Sequence, residues 1–407
     1  MKVTKLIFLT ILIDMLGYGI LIPVIPELFA DPKSPFYVLS TGANPANGLI
    51  ILGLLIASFP LGQFFATPIL GQLSDRYGRK KVLIISILGT SISYILFAIG
   101  IITKNIPLLF FSRFFDGITG GNIAVAQAAI ADVTTPENRA KNFGMIGAAF
   151  GLGFIFGPFI GGKLSDPSLV SWFTASTPFY FAAILAFLNV ISIWKFLPET
   201  NKNLNNLKIK FNKSIRNIIT AFNLPGLKSL FGTTFFFNAG FTFFTTFFSV
   251  FLIIKFGFSQ GNIGTFFAYV GIWSVITQAV LTRIFAKKLT KEQILNISLF
   301  GCAVMLLAYF LPNQKWELYL VPPFFSLFTG LTMANLNALI SERSDKTIQG
   351  QIMGISASVT ALAQIVPAIL SGFIAAILQP TTPIIVASIF VFISWLVFQK
   401  AKTKTTV

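Results

Sequence analysis

Residues 71–81 read Gly71-Gln72-Leu73-Ser74-Asp75-Arg76-Tyr77-Gly78-Arg79-Lys80-Lys81. The stretch is short, charged, and set between two long apolar runs. Its glycines permit a tight turn. Asp75 stands four residues before Arg79, the spacing at which a carboxylate and a guanidinium pair. Arg76, Arg79, Lys80 and Lys81 mark the side of a membrane on which basic residues collect. A plain basic loop needs only the charges. The glycines and the acid at fixed offsets ask for a particular turn that carries a particular ion pair.

Outward from this turn, the chain is apolar in long blocks. Of 407 residues, 55% are hydrophobic and 11% charged, and mean hydropathy is +0.80. A soluble domain carries about 25% charged residues, so this chain cannot cover a water-facing surface. Twelve apolar runs are read at about residues 5–29, 48–70, 82–102, 107–131, 142–163, 178–198, 228–254, 260–283, 292–311, 317–341, 350–378 and 383–399. Each is about the length that crosses ~30 Å of hydrocarbon as a helix. Alternating strands of the membrane-barrel kind are absent. The expected fold class is an all-α membrane protein with twelve transmembrane helices. A polar interruption at 199–227 divides it into a six-helix bundle at 1–198, a cytoplasmic linker, and a second six-helix bundle at 228–407.

Charge placement sets the expected orientation. Of 30 Lys and Arg, Lys33, Lys104, Lys163, Lys255 and Lys315 fall in outside loops and Arg113 inside a span; the others lie on the opposite side. Both termini are therefore expected in the cytoplasm. Lys2 and Lys5 precede an apolar stretch, Leu6 to Leu28, that is too long for a cleavable leader and is expected to remain as the first span. The chain is expected in a bacterial inner membrane as a monomer. The net charge of +17 is thus read as membrane topology, and nucleic acid is not an expected partner. Lys202, Lys208, Lys210, Lys213 and Arg216 in the central linker suit anionic headgroups.

Histidine is absent and Cys302 is the one cysteine. A His-based triad, a Cys/His metal site and an intrachain disulfide are excluded, so no enzyme and no cofactor is expected. Residues 157–164 nearly fit a phosphate-binding loop, but Leu164 stands where Ser or Thr must hold Mg²⁺.

Several residues inside the spans carry chemistry. Asp14 sits near the middle of the first run, in Asp14-x-x-Gly17-x-Gly19-x-x-x-Pro23-x-x-Pro26. A carboxylate in hydrocarbon is costly unless protonated or paired, which suits a group that takes up and releases a proton; the bland reading ties it to a neighbouring helix. Arg113 and Asp116 lie one helical turn apart, as a static ion pair or as a modulator of a proton site. In the fifth run glycines recur at intervals of four in two series, Gly147 and Gly151, then Gly153, Gly157 and Gly161, with Pro158 and Gly162 beside them. Small residues so spaced let helices approach closely. The turn after the fourth run, Asp132 to Lys141, holds Asp132 and Arg139, and Asp132 is placed to meet Arg79 as a lock that forms in one state and breaks in the other. The halves repeat weakly: Asp132, Gly144 and Gly162 correspond to Glu342, Gly354 and Gly372. Two like halves suit a transporter with its site at the midplane.

Residues 71–81, the first-run motif, Arg113-x-x-x-Gly117-x-x-Gly120-Gly121 and Gly153-x-x-x-Gly157-Pro158-x-x-Gly161-Gly162 together resemble the major facilitator superfamily. Within it they look like the twelve-helix drug/proton antiporters, and most of all the tetracycline-efflux group. The resemblance implies two six-helix bundles and alternating access. It also implies proton coupling through Asp14, with Arg113 adjusting proton affinity. Gly71, Asp75, Arg76, Gly78, Arg79, Asp132, Arg139, Gly153, Gly157, Pro158, Gly161 and Gly162 then serve the conformational change. The third run departs from the tetracycline pattern with Ser93 where that group typically has an acid, and the ninth offers Asn296 and Ser298. Asp116 is an added acid and is expected to take over that proton role.

The second half has no acid deep in a span. Its expected substrate contacts are neutral: Asn238, Tyr269, Trp273, Gln278, Asn335, Asn337 and Gln364, each also readable as an interhelical hydrogen bond. The cluster Phe235 to Phe237, Phe243, Phe244, Phe247 and Phe248 is expected to be lipid-facing bulk rather than a drug pocket. The expected function is proton-coupled export of a small hydrophobic or drug-like molecule. The rivals are a metabolite symporter or exchanger of the same fold, and a non-transporting sensor or scaffold.

Overall fold

A computed structural model describes residues 3–40, 42, 44–135, 139–201, 204, 212–224, 226–344 and 349–403. Among them there is no strand. Eleven helices are long and apolar enough to cross a membrane. The first six spans are built from α1 (Val3–Phe29), α2 (Pro45–Tyr77), α3 (Arg79–Ile102), α4 (Ile106–Thr119), α5 (Ile123–Asp132), α6 (Arg139–Leu164) and α7 (Thr177–Phe196). After α8 (Lys213–Asn223) come α9 (Lys228–Phe256), α10 (Gln260–Ile276), α11 (Thr282–Ala286), α12 (Lys291–Ala308), α13 (Lys315–Leu318), α14 (Val321–Glu342), α15 (Gln349–Ile377) and α16 (Thr382–Thr403).

The fourth span is not one helix. A 3₁₀ turn at Gly120–Asn122 separates α4 from α5. The expected continuous run at 107–131 is corrected there: a Gly pair weakens the α-helix, and the tighter turn redirects the Asn122 side chain inward. A π turn, Thr277–Leu281, interrupts the eighth span in the same way.

Helix ends follow local chemistry. Asn105 Oδ1 accepts the Leu108 N–H at 3.0 Å and starts α4. Thr290 and Gln293 form a capping box at α12. Gly257, at φ 60°, ends α9 in the left-handed conformation.

The chain forms two compact units. One comprises Met1–Ala43, Ser58–Lys213 and Phe258–Ala268; the other comprises Asn44–Ala57, Ser214–Gly257 and Tyr269–Val407. In the first, α1 packs along α6, and α3 on α7 and α4. The α1–α6 seam is backbone against backbone. A Cβ on Gly157 would stand 2.7 Å from Gly19 Cα and 2.8 Å from Leu16 O, and one on Gly161 would stand 2.6 Å from Ile20 O. Gly153 faces Met15 in the same seam, Pro158 lies inside α6 against Gly19, and Gly162 faces Gln260 and Gly264. Gly71, by contrast, has open space around it.

In the second unit α9 packs on α16 and α15, and α12 on α14 and α16. The phenylalanines of α9 form its core. Phe237, Phe243, Phe244, Phe247 and Phe248 are buried. Phe244 lies 4.4 Å from Phe248, 4.9 Å from Phe325 and 5.5 Å from Tyr309, centroid to centroid. The lipid-facing reading of these five is corrected: all are buried, and Phe243, Phe244 and Phe248 meet aromatic rings of neighbouring segments. Other apolar side chains do stay outside, among them Ile85 at 70% and Trp194 at 66% exposure, as a protein dissolved in lipid requires.

Candidate functional site

A polar cluster lies inside the first unit. Asp14 comes from the middle of α1, Tyr94 from α3, Arg113 and Asp116 from α4, and Asn122 from the 3₁₀ turn. All five are buried. Arg113 Nη1 donates to Asp116 Oδ2 at 2.6 Å. The guanidinium also lies over the Phe59 ring, 4.7 Å from its centroid, a contact that holds a cation without neutralising it. Tyr94 crosses directly over Gly17, where a Cβ would collide with its hydroxyl.

Asp14 differs from the rest of the cluster. Neither of its oxygens has a hydrogen-bond partner. The Asn122 amide lies beside the carboxylate, close enough to act on it electrostatically, without forming a geometrically sound hydrogen bond. Asp116 is also close enough for its charge to be felt. Asp116 Oδ1 and Arg113 Nε are unpartnered too. Buried polar atoms are nearly always satisfied, and here several unpartnered ones gather around one buried carboxylate. The group holds two carboxylates and one guanidinium. It can keep one permanent ion pair and one carboxyl free to exchange a proton.

A second cluster lies where α2 turns into α3. Gly78 has φ 98°, a conformation open chiefly to glycine. Arg79 Nη1 meets Asp75 Oδ1 at 2.6 Å, and its Nε meets Asp132 Oδ2 at 3.2 Å. Its third acidic neighbour was not expected from the sequence. Glu199, just after α7, accepts the Arg79 N–H at 2.8 Å and the Lys80 N–H at 3.2 Å. It thereby caps α3, whose first N–H groups have no helical partner. Thr200 Oγ1 donates to Asp132 Oδ2 at 3.1 Å, and Asn201 Nδ2 to Asp75 O at 3.3 Å. Arg76 lies beside the Tyr77 ring. The side chain of Arg139 lies outside the described residues.

The neutral candidates of the second unit have separate surroundings. Asn238 Nδ2 donates to Thr234 O, and Asn335 Nδ2 to Leu331 O, both at 2.8 Å and both within their own helix. Gln278 is exposed in the π turn, Asn337 is exposed, and Gln364 is half-buried. Tyr269 does sit in an aromatic group, with Trp273 at 6.4 Å and Tyr319 at 5.4 Å. Asn296 accepts from Trp395 Nε1 at 2.8 Å and from Gln399, joining α12 to α16. Ser93 donates to Gly89 O within α3.

The family signature described as Major Facilitator Superfamily matches residues 7–366. The chain belongs to the major facilitator superfamily. Its relatives there include tetracycline resistance protein, class H, of Pasteurella multocida, 31% identical over 377 residues, with 91% of this chain and 88% of the relative covered. Multidrug resistance protein 1 of Bacillus subtilis (strain 168) is 32% identical over 308 residues, with 73% and 71% covered. The solved structure of the human organic anion transporter MFSD10 superposes with a TM-score of 0.72 at 21% identity, with 97% of this chain and 98% of that one covered; that likeness concerns the fold. This superfamily member is a multi-pass membrane transporter of small molecules and not an enzyme. Its architecture is the major facilitator fold, with twelve spans in two six-helix bundles.

Proposed function

We propose that this protein exports a small hydrophobic or drug-like molecule in exchange for protons. The observation that carries the reading is the buried Asp14 carboxylate, without a hydrogen-bond partner, beside Asn122 and the Arg113–Asp116 pair. The names of its relatives, tetracycline and multidrug resistance proteins, support export as the direction. Asp14 takes the proton. Arg113, paired with Asp116, adjusts the proton affinity of Asp14, and Asp116 serves with Asp14 in the proton relay. The Arg79 cluster with Asp75, Asp132 and Glu199 closes the cytoplasmic side in one state. The Gly153, Gly157, Pro158 and Gly161 seam ties α1 to α6, and Gly162 faces α10. Tyr269 and Trp273 offer aromatic faces to substrate. The working chain is a monomer in a bacterial inner membrane with both termini cytoplasmic. It needs no cofactor beyond the proton gradient, and its two bundles, 1–198 and 228–407, are joined by the linker 199–227.

The test uses proteoliposomes with a pH dye inside and an imposed proton gradient, challenged in turn with tetracyclines, cationic dyes, amino acids and sugars. The expected result is that a drug collapses the gradient with wild type and not with Asp14→Asn, while the variant still exchanges substrate in counterflow. Collapse by a metabolite alone would replace export with the symporter or exchanger reading. A drug that collapses the gradient equally with both proteins would remove Asp14 from the proton path.

A further inference from the structure

Helix α8, Lys213–Asn223, reads Lys-Ser-Ile-Arg-Asn-Ile-Ile-Thr-Ala-Phe-Asn. It is too short to hold itself together in water, so its neighbours must support it. At ~100° per residue, its side chains fall into three sectors. The first holds Ser214, Asn217, the half-buried Ile218 and Ala221. Ser214 and Ala221 are buried, and Asn217 Nδ2 donates to Ser358 Oγ at 3.1 Å and Gly354 O at 3.3 Å. This fastens α8 to the opening turns of α15.

The next sector holds Ile215, Ile219 and Phe222. They stay 50%, 58% and 41% exposed, three large apolar side chains on adjacent turns. The third sector is polar: Lys213, Arg216, Thr220 and Asn223. From Thr200 to Lys228 the chain has six cations, with Lys202, Lys208, Lys210 and Lys228 added to Lys213 and Arg216, and no Asp or Glu.

We propose that α8 is an interfacial anchor for anionic phospholipid. Its apolar stripe lies in the acyl boundary of the cytoplasmic leaflet, and its basic edge lies among the headgroups. The pattern of one apolar sector beside one cationic sector is the chemistry of a helix in the plane of a membrane surface. Charge selects this occupant over two others. The chain's own segment before α8 carries Lys202, Lys208 and Lys210, and a second copy would bring the same cations face to face. Only a negative surface relieves this charge while covering the stripe.

The full-length protein, with Ile219→Cys carrying an environment-sensitive fluorophore, tests this in vesicles of phosphatidylcholine with phosphatidylglycerol. Wild type, whose Cys302 is buried, is the labelling blank. Brominated lipids should quench the label, brominated phosphatidylglycerol more strongly than brominated phosphatidylcholine. That preference should fall about fivefold for each cation removed in Lys213→Gln and Arg216→Gln. A Phe222→Cys label guards against a local effect at one position and should behave alike. Quenching by aqueous iodide and by neither lipid would place the stripe in water. Quenching by nothing would mean that protein covers it. Equal quenching by the two lipids would remove the anionic selectivity. Each of these three results overturns the proposal.

Discussion

The Arg113–Asp116 pair makes a quantitative prediction because its two halves differ in how they escape burial. Their atoms are 2.6 Å apart, with side-chain exposures of 6% and 4%. Breaking such a pair leaves one charge uncompensated and costs about 3–5 kcal/mol. A stranded carboxylate can shed its charge by taking a proton; a stranded guanidinium cannot. Asp116→Asn should therefore cost about 3–5 kcal/mol, and Arg113→Gln nearer ~1–3 kcal/mol, the price of an unsatisfied polar group. Asp14 feels the charge of Asp116 and would respond to its loss, so the series belongs in an Asp14→Asn background. Reversible unfolding in mixed micelles, followed by tryptophan fluorescence, gives the four free energies of the cycle. The double replacement should cost at least ~2 kcal/mol less than the sum of the singles, since close partners couple strongly. Additivity within ~0.5 kcal/mol, or a costlier Arg113→Gln, would refute the account of a buried pair supported by a permanent cation.

Four other substitutions test separate parts of the fold. Glu199→Gln keeps the side-chain shape but loses the charge at the start of α3; it should cost about 1 kcal/mol and speed hydrogen exchange at the amides of Arg79 and Lys80. Gly157→Ala drives a Cβ into Gly19 Cα and Leu16 O at 2.7 and 2.8 Å, an overpacking worth about 1–3 kcal/mol. Gly71→Ala, which meets nothing within 4 Å, should change stability by less than ~0.5 kcal/mol, and thermal unfolding in detergent compares the two. Phe244→Ala removes a ring enclosed by Phe248, Tyr309 and Phe325 and should cost about 3–5 kcal/mol, whereas a lipid-facing ring would cost almost nothing in the same assay.

The readable and unreadable parts of this molecule separate by sequence distance. The twelve spans were legible because each must cross a fixed thickness of hydrocarbon. The pairs Asp75–Arg79 and Arg113–Asp116 were legible because helix geometry alone brings residues three or four apart together. Glu199 was not. It reaches Arg79 from 120 residues away, and its only local sign is a lone acid following Leu197-Pro198. Asn122 was hidden for another reason: it sits in the 3₁₀ turn Gly120–Asn122, inside a run that reads in the sequence as one continuous helix. The α9 phenylalanines misled because a run apolar on all sides has no periodicity to tell lipid from core; the neighbouring Tyr309 and Phe325 decide it. The neutral residues of the second half were chosen by type alone, and two of them spend their amide donors on their own helices.

The composition of the α1–α4 cluster also fixes an electrical property. With both carboxylates ionised, Asp14, Asp116 and Arg113 sum to one negative charge; with Asp14 protonated they sum to zero. One turn of the proposed exchange thus admits one positive charge through this cluster. Exported against it, a monovalent cation makes the cycle electrically silent, and only the pH difference drives it. A neutral or zwitterionic molecule makes the cycle electrogenic, so that each 100 mV of membrane potential adds about 2.3 kcal/mol. The voltage sensitivity of export would therefore report the charge of the cargo before the cargo itself is known.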